Sequence, residues 1–172
     1  KWHLGWDWTT TDDQPAGEGN VDFSGPVANG PDAYGFDYYY GHCGSLDMAP
    51  YVYVENGSAT AQPNRITEDT GKFTWWRKGP TASDFEHEDV LPNFTRRSVE
   101  YIEERAATGE PFFLYLPLAA PHTPILPTPA FRGKSGTNAY GDFCLQVDDT
   151  VGQIMDALER AGVADNTVLI FT

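Results

Sequence analysis

Two short apolar runs separated by a helical pattern, all in the second half of the chain, limit its fold more than any other feature. Pro111-Phe112-Phe113-Leu114-Tyr115-Leu116-Pro117-Leu118 is almost wholly apolar and bounded by prolines, which predicts a strand buried on both faces. A Pro-rich loop runs from Ala119 to about Asn138. Phe143, Val147, Val151, Ile154 and Leu158 then recur at helical spacing, up to a stop at Gly162. Thr167 to Phe171, with Val168-Leu169-Ile170-Phe171 at its centre, reads as a second buried strand. Strand, loop, helix and strand form a βαβ crossover, which calls for parallel strands joined in a right-handed sense. Just upstream, Phe94, Val99, Ile102 and Ala106 predict another amphipathic helix ending at Gly109. The expected fold class is α/β, with a mostly parallel sheet flanked by helices.

The first half has a different character. Residues 1–90 hold most of the glycines and turn signals such as Asn29-Gly30-Pro31-Asp32 and Glu55-Asn56-Gly57, so loops with short strands are expected. Pro50-Tyr51-Val52-Tyr53-Val54-Glu55 is the best strand candidate there. The expected organisation is a loop-rich segment over 1–90, followed by a helix-strand-loop-helix-strand unit over 91–172. Both ends read as cuts: the chain opens on Lys1 without a methionine and closes straight after an apolar strand.

The formal net charge of -14 excludes nucleic acid as a partner, because neutralising phosphates takes clustered Lys and Arg. An anionic substrate would have to be held by a few local cations, within about one Debye length, roughly 8 Å at physiological salt. No apolar run approaches the roughly 20 residues of a membrane span, so no membrane partner is expected. Cys43 and Cys144 have no metal-type spacing and define no disulfide framework.

Candidate chemistry concentrates in two places. Ala120-Pro121-His122-Thr123-Pro124 lies just past the carboxyl end of a predicted strand, where open sheets bind ligands, and its prolines hold the histidine in place. A single loop histidine can equally be structural. In Lys1-Trp2-His3-Leu4-Gly5 a cation and an imidazole two residues apart share one face if the segment is extended. Either they grip an oxyanion, or Lys1 is a solvated lysine beside a packed tryptophan. Asp148-Asp149 reads as a solvated or helix-anchoring pair, and His87, between Glu86 and Glu88, as part of an exposed acidic loop.

Taken in order, Lys1-Trp2-His3-Leu4-Gly5, Tyr34-Gly35-Phe36-Asp37, Ser45-Leu46-Asp47-Met48-Ala49-Pro50, Pro121-His122-Thr123-Pro124 and the terminal strand resemble the formylglycine-dependent sulfatases of the alkaline-phosphatase-like superfamily. The stretch from Ser45 to Asn56 is similar to bacterial enzymes of that family acting on sulfated sugars. The resemblance implies that the chain is the central part of a sulfatase catalytic domain, with the nucleophile region and a C-terminal subdomain absent. Neither Cys43-Gly44-Ser45-Leu46 nor Cys144-Leu145-Gln146-Val147 fits the family's modification motif, so the formylglycine is expected upstream of Lys1. Calcium is the family's metal, and its ligands are expected outside this chain, which should hold no metal.

By the same resemblance, Lys1 would bind a sulfate oxygen, His3 would act as the base releasing sulfate, and His122 would protonate the leaving alcohol. Imidazole suits that work because it titrates near neutral pH. His42 and Asp47 are candidates to bind sugar hydroxyls, since both can accept hydrogen bonds. The implied activity is hydrolysis of a sulfuric ester on a sulfated sugar or polysaccharide by an exported, periplasmic or secreted enzyme, the fragment alone being inactive. A phosphodiesterase or phosphonate hydrolase of the same superfamily, and a non-catalytic carbohydrate-binding module, are the alternatives. Asn56 and Asn93 open N-x-S/T sequons.

Overall fold

The computed structural model describes residues 1–17 and 19–172. The chain divides into two compact units: Lys1–His87 with His122–Pro124, and Glu88–Pro121 with Ile125–Thr172.

The first unit is built from small antiparallel sheets. β1 (Asp7–Trp8) pairs with β2 (Val27–Ala28), and β3 (Tyr40–Gly41), β4 (Val54–Glu55) and β5 (Ser58–Ala59) form a second sheet in that order. A two-residue turn, Asn56-Gly57, joins β4 to β5, with φ of 47° and 78°. Positive φ at both positions matches the right-handed twist of the hairpin, which is why Asn-Gly is favoured there. The third sheet is the longer hairpin of β6 (Pro63–Asp69) and β7 (Trp76–Ala82).

The run 51–54 ties these sheets together. Tyr51, Val52, Tyr53 and Val54 are each 1% exposed, and Phe85 is fully buried beside them. Tyr51 makes a parallel bridge to Thr81: its N–H donates to the Pro80 carbonyl, and its own carbonyl accepts from Ala82. The predicted strand at 50–55 therefore exists as two short contacts with different sheets. Gly79 is required where β7 passes this run, since a Cβ there would lie 2.1 Å from the Ala49 Cβ.

The second unit centres on α1 (Val90–Thr108) and α2 (Ala139–Arg160). The apolar stripes bury as their spacing dictates, Phe94 and Ile102 on α1 and Phe143, Val147, Ile154 and Leu158 on α2. Between the helices, the hydroxyls of Thr95 and Thr150 meet at 3.0 Å, and each also reaches the carbonyl four residues back. Gly109 closes α1 at φ 71°, and the Asn138 side chain caps α2 by accepting from the Gly141 N–H. The Asp142 carboxylate accepts from Ser135 and Gly133, bonds that tie the Pro-rich loop to the helix and hold the acid below the usual carboxylate range. Asp148 and Asp149 are exposed on α2.

The strand expected over 111–118 to be buried on both faces is covered on one face only. Phe112, Leu114 and Leu116 pack on the cluster of Ile102, Ile154, Ala157 and Leu158, whereas Phe113 and Tyr115 are 76% and 57% exposed. One face is covered, and the other is not. Val168, Ile170 and Phe171 are also exposed. Among the described residues neither segment forms a ladder and every ladder between named strands is antiparallel, the Tyr51–Thr81 bridge apart, because a parallel strand exists only where a neighbour supplies its hydrogen bonds.

Candidate functional site

The first five residues are held against the loop 41–48. The Trp2 N–H donates to the His42 carbonyl at 3.2 Å, and the His3 N–H to the Cys43 carbonyl at 2.7 Å. The Trp2 indole N–H closes the turn on the Gly5 carbonyl, and its ring packs on Tyr34 and Phe36. His3 has φ 61°, so the segment is not extended there. Lys1 and His3 therefore do not share a face by strand alternation. A left-handed turn sets the direction of the imidazole, a conformation that costs a non-glycine residue about 1 kcal/mol and recurs at functional sites. Lys1 is half-buried and His3 exposed.

His122 is anchored on the same loop. Its Nδ1 lies 2.7 Å from the Thr123 carbonyl oxygen and 3.1 Å from Ser45 Oγ, with Ser45 itself buried. A carbonyl can only accept, so Nδ1 carries a proton, and the Ser45 oxygen lies within reach of the same N–H. This assigns the tautomer. That leaves Nε2 without a part in this anchoring, on a ring that is exposed. The residues His122–Pro124 belong to the unit that holds Lys1, His3 and Ser45.

Inside the loop, His42 is 3% exposed and packs edge-on to Phe85. Burial holds its imidazole far below the usual range, and Lys1, His87 and His3 push it the same way. Basic groups thus converge on this loop in a chain whose formal charge is -14. Asp47 is 6% exposed and lies 3.6 Å from Arg77. The sequence reading put His42 and Asp47 in contact with sugar hydroxyls, but both side chains are turned into the protein. Burial also pushes the Cys43 thiol up, so it stays protonated, and both cysteines are free. Burial raises the Tyr39 phenol as well, and that hydroxyl donates to the His42 carbonyl at 3.2 Å.

His87 is not in an exposed acidic loop. It is 7% exposed, stacks on Trp76 at 3.9 Å between ring centroids, and meets Tyr51 at 4.4 Å. The Leu46 backbone, next to Ser45, acts on the ring as well and favours its charged form, against the larger effect of burial. Sequence reasoning missed Ser45 and His87. A serine two residues after Cys43 carries no signal of its own, and the acids flanking His87 mask its burial, Glu86 being paired outward with Arg65.

No group of three or more His, Cys, Asp or Glu residues is placed to hold a metal ion among the described residues. No helix is long and apolar enough to cross a membrane among them either.

The backbone N–H groups of Trp2 and His3 and the Nδ1 of His122 are thus tied to the loop 41–48, with Lys1 at the start of the same segment. The family described as Sulfatase matches residues 1–172, and the chain belongs to that family. It is 29% identical to an N-acetylgalactosamine-6-O-sulfatase of Bacteroides thetaiotaomicron, an alignment that takes in 100% of this chain and 38% of the relative. It is 30% identical to the N-acetylgalactosamine-6-sulfatase of Mus musculus over 83% of this chain and 26% of that protein. A solved structure described in terms of the metabolism of multiple glycosaminoglycans by Bacteroides thetaiotaomicron superposes with a TM-score of 0.76 at 28% identity, covering 98% of this chain and 40% of that one. The chain thus spans well under half the length of these relatives.

Proposed function

We propose that this chain is the central part of the catalytic domain of a sulfuric-ester hydrolase that removes sulfate from a sulfated carbohydrate. One observation carries the reading: the Lys1–His3 segment is bonded to residues 42 and 43, and His122 is held on Ser45 of the same loop. In this reading Lys1 binds a sulfate oxygen and stabilises the charge that grows there as the ester breaks. His122, protonated at Nε2, gives that proton to the bridging oxygen as the S–O bond breaks, so the sugar leaves as an alcohol. His3 serves as the base in the second half of the reaction. His42 and Asp47, being buried, shape the loop from within.

The family's calcium and formylglycine are assigned to residues outside this chain. The described residues form no cluster that fits a metal, so no step here is routed through either group. Residues 111–118 and 167–172 are proposed as strands of the mostly parallel sheet of an alkaline-phosphatase-like fold, with neighbours contributed by the rest of the domain. The covered face of 111–118 and the match to 40% of a longer solved sulfatase support this. Export to the periplasm or the medium belongs to the same reading.

The test is sulfate release by the full-length enzyme from a sulfated monosaccharide, a sulfated oligosaccharide and an aryl sulfate, with a phosphodiester and a phosphonate ester alongside. Sulfate release that falls by about 10²-fold or more in His122→Ala is expected. Cleavage of the phosphorus esters alone would transfer the chain to the phosphodiesterase branch. Sugar binding with no turnover of any ester would leave a carbohydrate-binding module.

A further inference from the structure

Beside the loop 41–48 lies a cleft of about 230 Å³ whose walls include Trp6, Phe36, Tyr39, Asp32, Asp37 and Asn56. We propose that this cleft is a subsite for a neutral, hydroxyl-rich sugar ring attached to the sulfated one, which makes the preferred substrate an oligosaccharide. The proposal rests on the sulfatase reading for the reaction, but its chemistry can be read separately.

Size is the first argument. Pockets for drug-sized ligands run from about 300 to 1,000 Å³, so this cleft suits a single ring. Its lining is the second. A pyranose has an apolar C–H face and a rim of hydroxyls, and the cleft offers both counterparts. Trp6 and Tyr39 meet edge to face at 5.6 Å, presenting aromatic surface. Asp32 and Asp37 are exposed carboxylates, each able to accept two hydroxyl donors in charge-assisted bonds. The Asn56 amide oxygen is already taken by the Tyr39 N–H at 2.9 Å, which leaves its NH₂ to donate.

Sulfate and uronate rings do not suit the cleft. Two carboxylates at the cleft, in a chain of formal charge -14, repel a second anion, and selectivity against such rings follows from that repulsion.

The cleft is also placed to serve the reaction. Phe36 lies edge-on to Trp2, with ring centroids 6.2 Å apart, and Trp2 sits between Lys1 and His3. The Tyr39 hydroxyl is bonded to the His42 carbonyl. The cleft thus adjoins Trp2, the neighbour of Lys1 in the chain, and the backbone of His42.

The experiment compares the full-length enzyme with Asp32→Ala/Asp37→Ala and with the isosteric Asp32→Asn/Asp37→Asn. Hydrogen bonds to charged groups are worth about 1.5 to 3 kcal/mol each, so the Ala pair should lower kcat/KM by at least about tenfold on a sulfated oligosaccharide with a neutral neighbouring ring. On the matching sulfated monosaccharide it should stay within about twofold, since no removed group touches it. Equal losses on both substrates, or no loss on either, overturn the proposal. Calorimetric titration with an unsulfated neutral disaccharide gives a readout without turnover: binding should weaken by at least about tenfold in the Ala pair, with the Asn pair between. If the enzyme hydrolysed no sulfate ester but this binding difference held, the subsite would stand and the sulfatase reading would fall. Disaccharide binding that is absent, or identical in all three proteins, overturns the subsite.

Discussion

Replacing His87 with phenylalanine should change how the stability of the first unit responds to acid. In the folded protein the imidazole is 7% exposed, stacked on Trp76, and lacks a partner for Nε2. Burial foremost, then the positive charge of Arg65, lowers its pKa to about 4, against an opposing pull from Asp69 and from the Leu46 backbone. An unfolded histidine titrates near 6.5. Between those values the unfolded chain binds a proton that the folded ring refuses. Stability is therefore full above about pH 6.5, falls as pH drops, and has lost the whole contribution below about pH 4.

The gap corresponds to about 3 kcal/mol in total, of which about 2 kcal/mol lies between pH 7.5 and pH 5. Phenylalanine keeps the stack on Trp76 and cannot titrate. Native-state hydrogen exchange of the Tyr51 and Ala82 amides, which donate to Pro80 and Tyr51 in this unit, reports the opening free energy locally. The intrinsic exchange rate cancels when wild type and His87→Phe are compared at one pH. Protection in wild type relative to the variant should fall about 30-fold from pH 7.5 to pH 5. A ratio that stays constant across that range would refute the buried neutral imidazole.

Ser45→Ala removes one contact of the His122 Nδ1 and leaves the Thr123 carbonyl, so kcat should fall by about 2- to 10-fold, with partial recovery in Ser45→Thr. An unchanged kcat in Ser45→Ala would remove Ser45 from the positioning of the ring. Ile102→Ala empties a fully packed site between α1 and α2 and should cost about 2 to 5 kcal/mol in urea unfolding. Asn138→Ala removes the cap on α2 and should cost about 1 kcal/mol in the same assay.

Both long helices could be read from sequence because their burial follows a 3.6-residue period, and each ends at a glycine or is capped by a polar side chain. The hairpin of β6 and β7 could not. Along β6 the half-buried positions are Pro63, Arg65, Thr67 and Asp69, while its one large aliphatic residue, Ile66, is 59% exposed. The apolar alternation that marks a strand is thus inverted there. The apolar runs at 111–118 and 167–172 were legible as candidate strands, but pairing is a property of neighbours that composition does not reveal.

In the candidate site, Lys1, His3 and His122 stood out as residue types at suggestive places. Their common attachment to the loop 41–48 is tertiary and had no signature in the sequence. A polar side chain next to a glycine or an acid looks accessible in sequence whether or not an aromatic cluster covers it, as at His42 and His87, and the burial of Asp47 has no sign in its neighbours. His87 between Glu86 and Glu88 is the clearest instance, its ring stacked on a tryptophan eleven residues earlier in the chain.

Whether Lys1, His3 and His122 serve one tetrahedral anion is decided by a crystal structure of the full-length enzyme with bound sulfate. One sulfate should lie within about 3 Å of both Lys1 Nζ and His122 Nε2. A sulfate seated in the formylglycine site with either group turned away and out of hydrogen-bond reach would mean that the three residues do not share it.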